Sequence, residues 1–160
     1  MPDHFFAQTL HISAILTGSF LSGSMLTIPL LAIPVLLDTT TSPHQLLHQW
    51  VRMFHYGHRG HPSLAAITLS LYALAAFQRR GSKRPWKRLV LAGLVTVVMT
   101  LFTWVVMVPT NTVIFGLAGG GGVGFEEVRG LVVKWGVMHF VRSFFPLIGA
   151  VVGIRELVAG

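Results

Sequence analysis

The sequence contains no cysteine, which excludes disulfides, thiolate zinc sites, iron–sulfur clusters and thiol nucleophiles. Charge is scarce as well. Only 11% of the 160 residues are charged, against roughly 25% in a soluble domain. Hydrophobic residues make up 52%, and the mean hydropathy is +0.68. So little polar surface cannot cover a globule of this length, so an ordinary soluble domain is excluded. Acidic residues are the rarest charged class, five against 12 Lys and Arg, for a net charge of +7. A nucleic-acid binder would spread its cations over a solvated face. Here half of them fall together as Arg79, Arg80, Lys83, Arg84, Lys87 and Arg88. A basic loop between apolar runs follows the positive-inside rule instead, and nucleic acid is not an expected partner. A basic n-region is also missing, and the first apolar run is too long for a cleaved leader, so no secretory signal is expected.

The sequence does have long apolar runs, at about 9–37, 61–78, 88–109 and 130–154. A bilayer core of about 30 Å needs roughly 20 helical residues, and in lipid such runs must be helices. They predict an all-α fold, a four-helix transmembrane bundle forming one domain over residues 1–160. Pro29 and Pro34 predict a kink or tilt in the first helix, and Pro62 suits the first turn of the second. The basic 78–88 connection is expected to be cytosolic, which puts both termini on that side. Gly18, Ser19, Ser22, Gly23 and Ser24 allow close helix approach, within the bundle or in a homodimer.

Between the first two spans, PHQLLHQWVRMFHY carries apolar residues at Leu46, Leu47, Trp50, Val51 and Phe54. That spacing predicts an extra amphipathic helix over 43–56, interfacial or re-entrant, with Thr41 or Ser42 as its N-cap. The GHRGHP segment is expected to break it before the second span. The link Gly119–Gly122 reads as flexible and lacks the Gly-Lys-Ser/Thr ending of a phosphate loop, so nucleotide binding is rejected there. Glu126 and Glu127 suit the positive end of the fourth helix.

Polar groups inside membrane helices are costly and point to function. Trp135, His139 and Arg142 fall at i, i+4 and i+7, one face of the fourth helix, and Arg142 should face inward. Plain packing or snorkelling is the structural alternative. The third helix ends in TWVVMVPTNTVIF, where Pro109 frees a carbonyl and Thr110, Asn111 and Thr112 offer hydrogen-bonding groups. These candidates converge on the non-cytosolic end, as do five histidines, His44, His48, His55, His58 and His61. His44, His48 and His55 share a helical face and could hold a metal or haem, or could simply be exposed interfacial residues. His55, Tyr56, His58 and Arg59 could instead line a cavity mouth.

With these residues assembled, the chain resembles the DUF1772 membrane family, which includes fungal anthrone oxygenases. The resemblance rests on IPLLAIPVLL at 28–37, HQWVRMFHYGHRGHPSLA at 48–65, VVMVPTNTVIF at 105–115 and VVKWGVMHFVRSFFPLIGA at 132–150. Within these, Trp50, Tyr56, Gly57, Pro109, Asn111, Trp135 and Arg142 match the family pattern. The resemblance implies oxidation of a polyketide anthrone to an anthraquinone by molecular oxygen, with no cofactor required. Such a reaction needs a base, an oxyanion stabiliser and a flat apolar cavity. His139 or His55 would be the base and Arg142 with Asn111 the oxyanion stabilisers. Trp50, Tyr56 and Trp135 would stack on the planar substrate, with Arg59 and Thr110 as further contacts. The fungal resemblance also implies the endoplasmic reticulum or a related endomembrane. Two other classes remain open on the residues alone: a histidine-ligated metal or haem redox protein, and a non-enzymatic membrane carrier or assembly factor.

Overall fold

A computed structural model describes residues 2–83, 85–120 and 122–159, with side chains from Phe5 onward. Arg84 of the basic loop and Gly121 of the glycine link lie outside the described residues. Among those described, all regular structure is helical, and four helices are long and apolar enough to span a bilayer.

The first, α1, runs Pro2–Thr27, passes through a π-helical turn at Ile28–Ala32 and finishes as Ile33–Thr39. Helix α2 is Pro43–Gly81. Helix α3 runs Lys87–Phe102, takes a second π-helical turn at Thr103–Met107 and ends as Val108–Ala118. Helix α4 is Phe125–Ala159. Each helix packs along its neighbours in chain order, and α4 closes the ring onto α1.

The two π turns have one cause. Each is closed by the N–H of the residue before a proline: the Ile33 N–H, ahead of Pro34, reaches the Ile28 carbonyl, and the Val108 N–H, ahead of Pro109, reaches that of Thr103. Proline has no N–H to donate and its ring crowds the carbonyl four residues back. Widening the ladder by one residue relieves the clash and lets the helix continue. Helix α3 therefore runs on to Ala118 instead of ending near 109. It stops where Gly120 adopts φ +130, a conformation reserved for glycine.

The stretch expected to form a separate helix at 43–56 is instead the start of α2, and GHRGHP does not break it. Pro62 sits inside the helix rather than in its first turn. A break would leave up to eight backbone groups unsatisfied in apolar surroundings, whereas continuing leaves the His58 carbonyl without its usual donor. The inward face also carries across the segment: Trp50 is buried, Met53, Phe54 and Gly57 are partly buried, and His61, Ala65, Thr68 and Tyr72 are buried again. Ser42 caps the helix, its hydroxyl accepting from the Gln45 N–H.

Packing divides the bundle into two ends. Toward the basic connection the core is small and close: Ala14, Ala75, Ala76, Ala92 and Ala150 surround Tyr72. Gly149 and Gly153 let α4 lie against its neighbours, since a Cβ at either would collide with Thr96 and the Ala92 carbonyl or with the Tyr72 hydroxyl. Gly18 faces Thr68 and Pro146 less closely, and a Cβ there would make only ordinary contact. Buried Glu156 accepts from Arg79 at 2.9 Å and contacts Arg88 at 3.5 Å. Arg79 also contacts His11 Nδ1, whose other nitrogen bonds the Gly153 carbonyl. At the opposite end the core is large and aromatic, built on Leu46, Leu47, Trp50, Ile114 and Trp135.

Candidate active site

The residues that α4 sends inward at 3–4 residue spacing meet both π turns. Trp135 and His139 are buried one helical turn apart, their ring centroids 4.7 Å from each other. The Trp135 indole N–H donates to Asn111 Oδ1 at 2.9 Å, which aligns the amide with the aromatic wall. Arg142 Nη1 donates to Thr103 Oγ1 at 2.7 Å, and that hydroxyl donates to the Met99 carbonyl at 2.8 Å. Thr103 is the first residue of the second π turn, so the turn both accommodates Pro109 and holds the arginine.

These groups border a cavity of about 190 Å³, which Ile28 of the first π turn and Met53, Phe54, Gly57, His58 and His61 of α2 complete. Exposed Pro62 and His58 on α2 and Trp104 on α3 mark a side opening between those two helices. Trp104 is 68% exposed at this rim. The volume is below the roughly 300 Å³ at which small-molecule sites usually begin.

Four of its polar atoms are unsatisfied. Neither ring nitrogen of His139 makes a hydrogen bond, the Met25 carbonyl lying beside it outside bonding geometry. Arg142 Nε and His61 Nδ1 are likewise buried without partners. Each such group costs on the order of 1–3 kcal/mol when left unpaired. Four of them around one cavity form an arrangement that a polar or ionisable ligand would complete.

Of the sequence candidates, His139, Arg142, Asn111 and Trp135 come together at this cavity. Trp50 is fully buried behind it, edge-on to Trp135 at 5.4 Å, with its own N–H unpartnered. Thr110 is buried beside Asn111 but does not line the cavity. His55, Tyr56 and Arg59 lie on the exposed face of α2, outside it. His44 and His48 are exposed there too, and among the described residues no three His, Cys, Asp or Glu side chains are placed to hold a metal ion. The alternative ligand set of His44, His48 and His55 is thus not assembled. His61 joins the site because α2 is continuous. The Glu156 network has no counterpart in the sequence motifs.

The family model described as anthrone oxygenase matches residues 50–152, a span that holds every cavity residue except Ile28. The chain belongs to the anthrone oxygenase family. Within it, the chain is 51% identical to an anthrone oxygenase of Paecilomyces divaricatus, the match covering 88% of this chain and 90% of that protein. It is 40% identical to an anthrone oxygenase of Emericella nidulans, over 91% and 95% of the two chains. It is 43% identical to a noranthrone monooxygenase of Aspergillus flavus, over 88% of this chain and 70% of that one. No solved structure matches the chain. Membership of the anthrone oxygenase family identifies the protein as an oxygenase-like enzyme.

Proposed function

We propose that the protein lies in a membrane and oxidises a planar polyketide anthrone to the anthraquinone with molecular oxygen, His139 acting as base and no organic cofactor taking part. The observation that carries this reading is the buried His139 imidazole, with both nitrogens unbonded, on a largely apolar cavity it shares with Arg142 and Asn111. An anthrone methylene is flanked by two aromatic rings and conjugated with a carbonyl, so removing one proton gives a delocalised, easily oxidised anthrolate. Imidazole is suited to that step because its neutral form carries a ring-nitrogen lone pair that can accept the proton. The charge delocalises onto the carbonyl oxygen, where the Arg142 guanidinium and the Asn111 amide would stabilise it. Trp135, held by its bond to Asn111, supplies a flat wall for the rings. Asp and Glu are absent from the cavity lining, which suits an anionic intermediate.

The long apolar helices support the membrane placement. We take the basic α2–α3 connection and both termini to face the cytosol, and the fungal relatives to favour an endomembrane such as the endoplasmic reticulum. Counting 1.5 Å per residue along α2 and α4, His61, His139 and Arg142 lie about 21–27 Å from the Arg79–Glu156 pair. The cavity would then sit in the far half of the bilayer, where an apolar substrate dissolves.

Purified protein in lipid nanodiscs, supplied with emodin anthrone, should consume one oxygen per anthraquinone formed, with no added flavin, haem or metal. Replacing His139 by Ala should lower the rate about 10²–10⁴-fold. A wild-type rate no higher than the uncatalysed background would sink the reading, and a rate that depends on an added cofactor would reject its cofactor-free part.

A further inference from the structure

We propose that His61 is the oxygen-side group of this site, its imidazole N–H binding the distal oxygen of dioxygen as it becomes superoxide, then peroxide, then hydroxide. The inference rests on the anthrone reading and assigns a residue that reading does not use. His61 reaches the cavity from α2, on the wall across from α4, and its ring centroid is 6.0 Å from that of His139. It is 8% exposed, and its Nδ1 is buried without a partner. Removal of protons from carbon and stabilisation of charge on oxygen occur at different atoms, the carbon and an oxygen two bonds away. One imidazole cannot contact both at once. Two rings at this separation can.

Atoms and electrons balance through each step. His139 takes the first methylene proton, and the anthrolate passes one electron to dioxygen. The carbon radical and superoxide combine to form the C–O bond, and the peroxide takes the proton from His139. His139 then takes the second C–H proton. The C–H electron pair becomes the second bond of the new carbonyl as the O–O bond breaks, and the hydroxide that leaves takes that proton to become water. One anthrone and one dioxygen give one anthraquinone and one water. Negative charge falls on the distal oxygen in each oxygen step, and His61 undergoes no net protonation. It acts as an oxyanion donor, preorganised because it is already buried.

The two histidines are separated by running half of the reaction without oxygen. Under anaerobic conditions in deuterated water, the wild-type protein should accelerate deuterium exchange into the anthrone methylene, and His139→Ala should abolish that acceleration. His61→Ala should keep exchange within about threefold of wild type while lowering anthraquinone formation in air about 10²-fold, the loss usual for one oxyanion donor. His61→Gln, which keeps an N–H donor and comparable bulk, should restore part of the oxygen step and gives a readable variant should alanine perturb folding. Equal loss of exchange and oxygenation in the His61 variants, or full retention of both, would overturn the assignment. If the wild-type protein neither exchanges nor oxygenates, the anthrone reading itself fails instead.

Discussion

The indole N–H of Trp135 donates to Oδ1 of Asn111 at 2.9 Å, joining α4 to the part of α3 beyond its π turn. Because the amide oxygen is occupied, the amide nitrogen is the end left for a ligand. Asn111→Ala should lower kcat about 10²-fold by removing that donor. Trp135→Phe, which releases the amide while keeping a flat aromatic wall, should cost about tenfold. The double variant should be no slower than about Asn111→Ala alone, because both changes act on one group. Steady-state oxygen uptake on the three variants checks this, and fully multiplicative losses would refute the coupling.

Pro109 is expected to matter for register rather than for stability. Replacing it with Ala supplies an N–H to the Val105 carbonyl and lets the π turn relax to an α turn. One residue fewer in the bulge turns the helix before it by about 100° relative to the helix beyond it, carrying Thr103 away from Arg142. Pro109→Ala should therefore fold with unchanged or higher thermal stability and lose most of its turnover. A fully active variant would show that the arginine does not depend on the bulge.

Glu156 is buried between Arg79 and Arg88. Glu156→Gln should destabilise the protein by about 3–5 kcal/mol, the usual cost of leaving a buried cation unpaired. A combined Arg79→Met, Glu156→Met variant should recover much of that loss. Thermal unfolding in detergent at fixed protein concentration provides the measurement, and a Glu156→Gln midpoint equal to that of wild type would refute it.

Gly149 touches α3 too closely for any side chain. Gly149→Ala drives a methyl group against Thr96 Oγ1 and the Ala92 carbonyl, and should cost about 1–3 kcal/mol. Adding Thr96→Ala should recover only part of this, because the backbone carbonyl cannot be trimmed. The same unfolding assay reads both variants, and complete rescue by the second substitution would place the clash in the side chain alone.

Much of the fold and half of the site are legible in the sequence, for definable reasons. Run length and low charge specify four helices long and apolar enough to span a bilayer. The sequence spacing puts Trp135, His139 and Arg142 on one face, and they do line one cavity, because helical periodicity survives inside a long uninterrupted helix. Continuity of α2 is not legible locally. GHRGHP has the composition of a turn, and only the cost of ending a helix in apolar surroundings overrides it. That one difference brings His61 to the cavity, while His55, Tyr56 and Arg59 stay on the outer face of the same helix. Glu156 is hidden for another reason: its partners Arg79 and Arg88 sit in a basic cluster that already has an explanation in topology. The π turns trace to Pro34 and Pro109, but a proline signals a kink before it signals a widened turn.

The cavity is lined by Pro62 on α2 and Trp104 on α3, both exposed on the sides of long apolar helices. With the membrane placement proposed above, the concentration that such an enzyme experiences would be a mole fraction in lipid, not a molarity in water. At fixed total substrate, adding inert lipid or detergent dilutes it in two dimensions and slows the reaction, while changing the water volume leaves the rate per enzyme nearly untouched. On the proposed function, the surrounding bilayer would act as the substrate reservoir, and its composition would set the apparent KM.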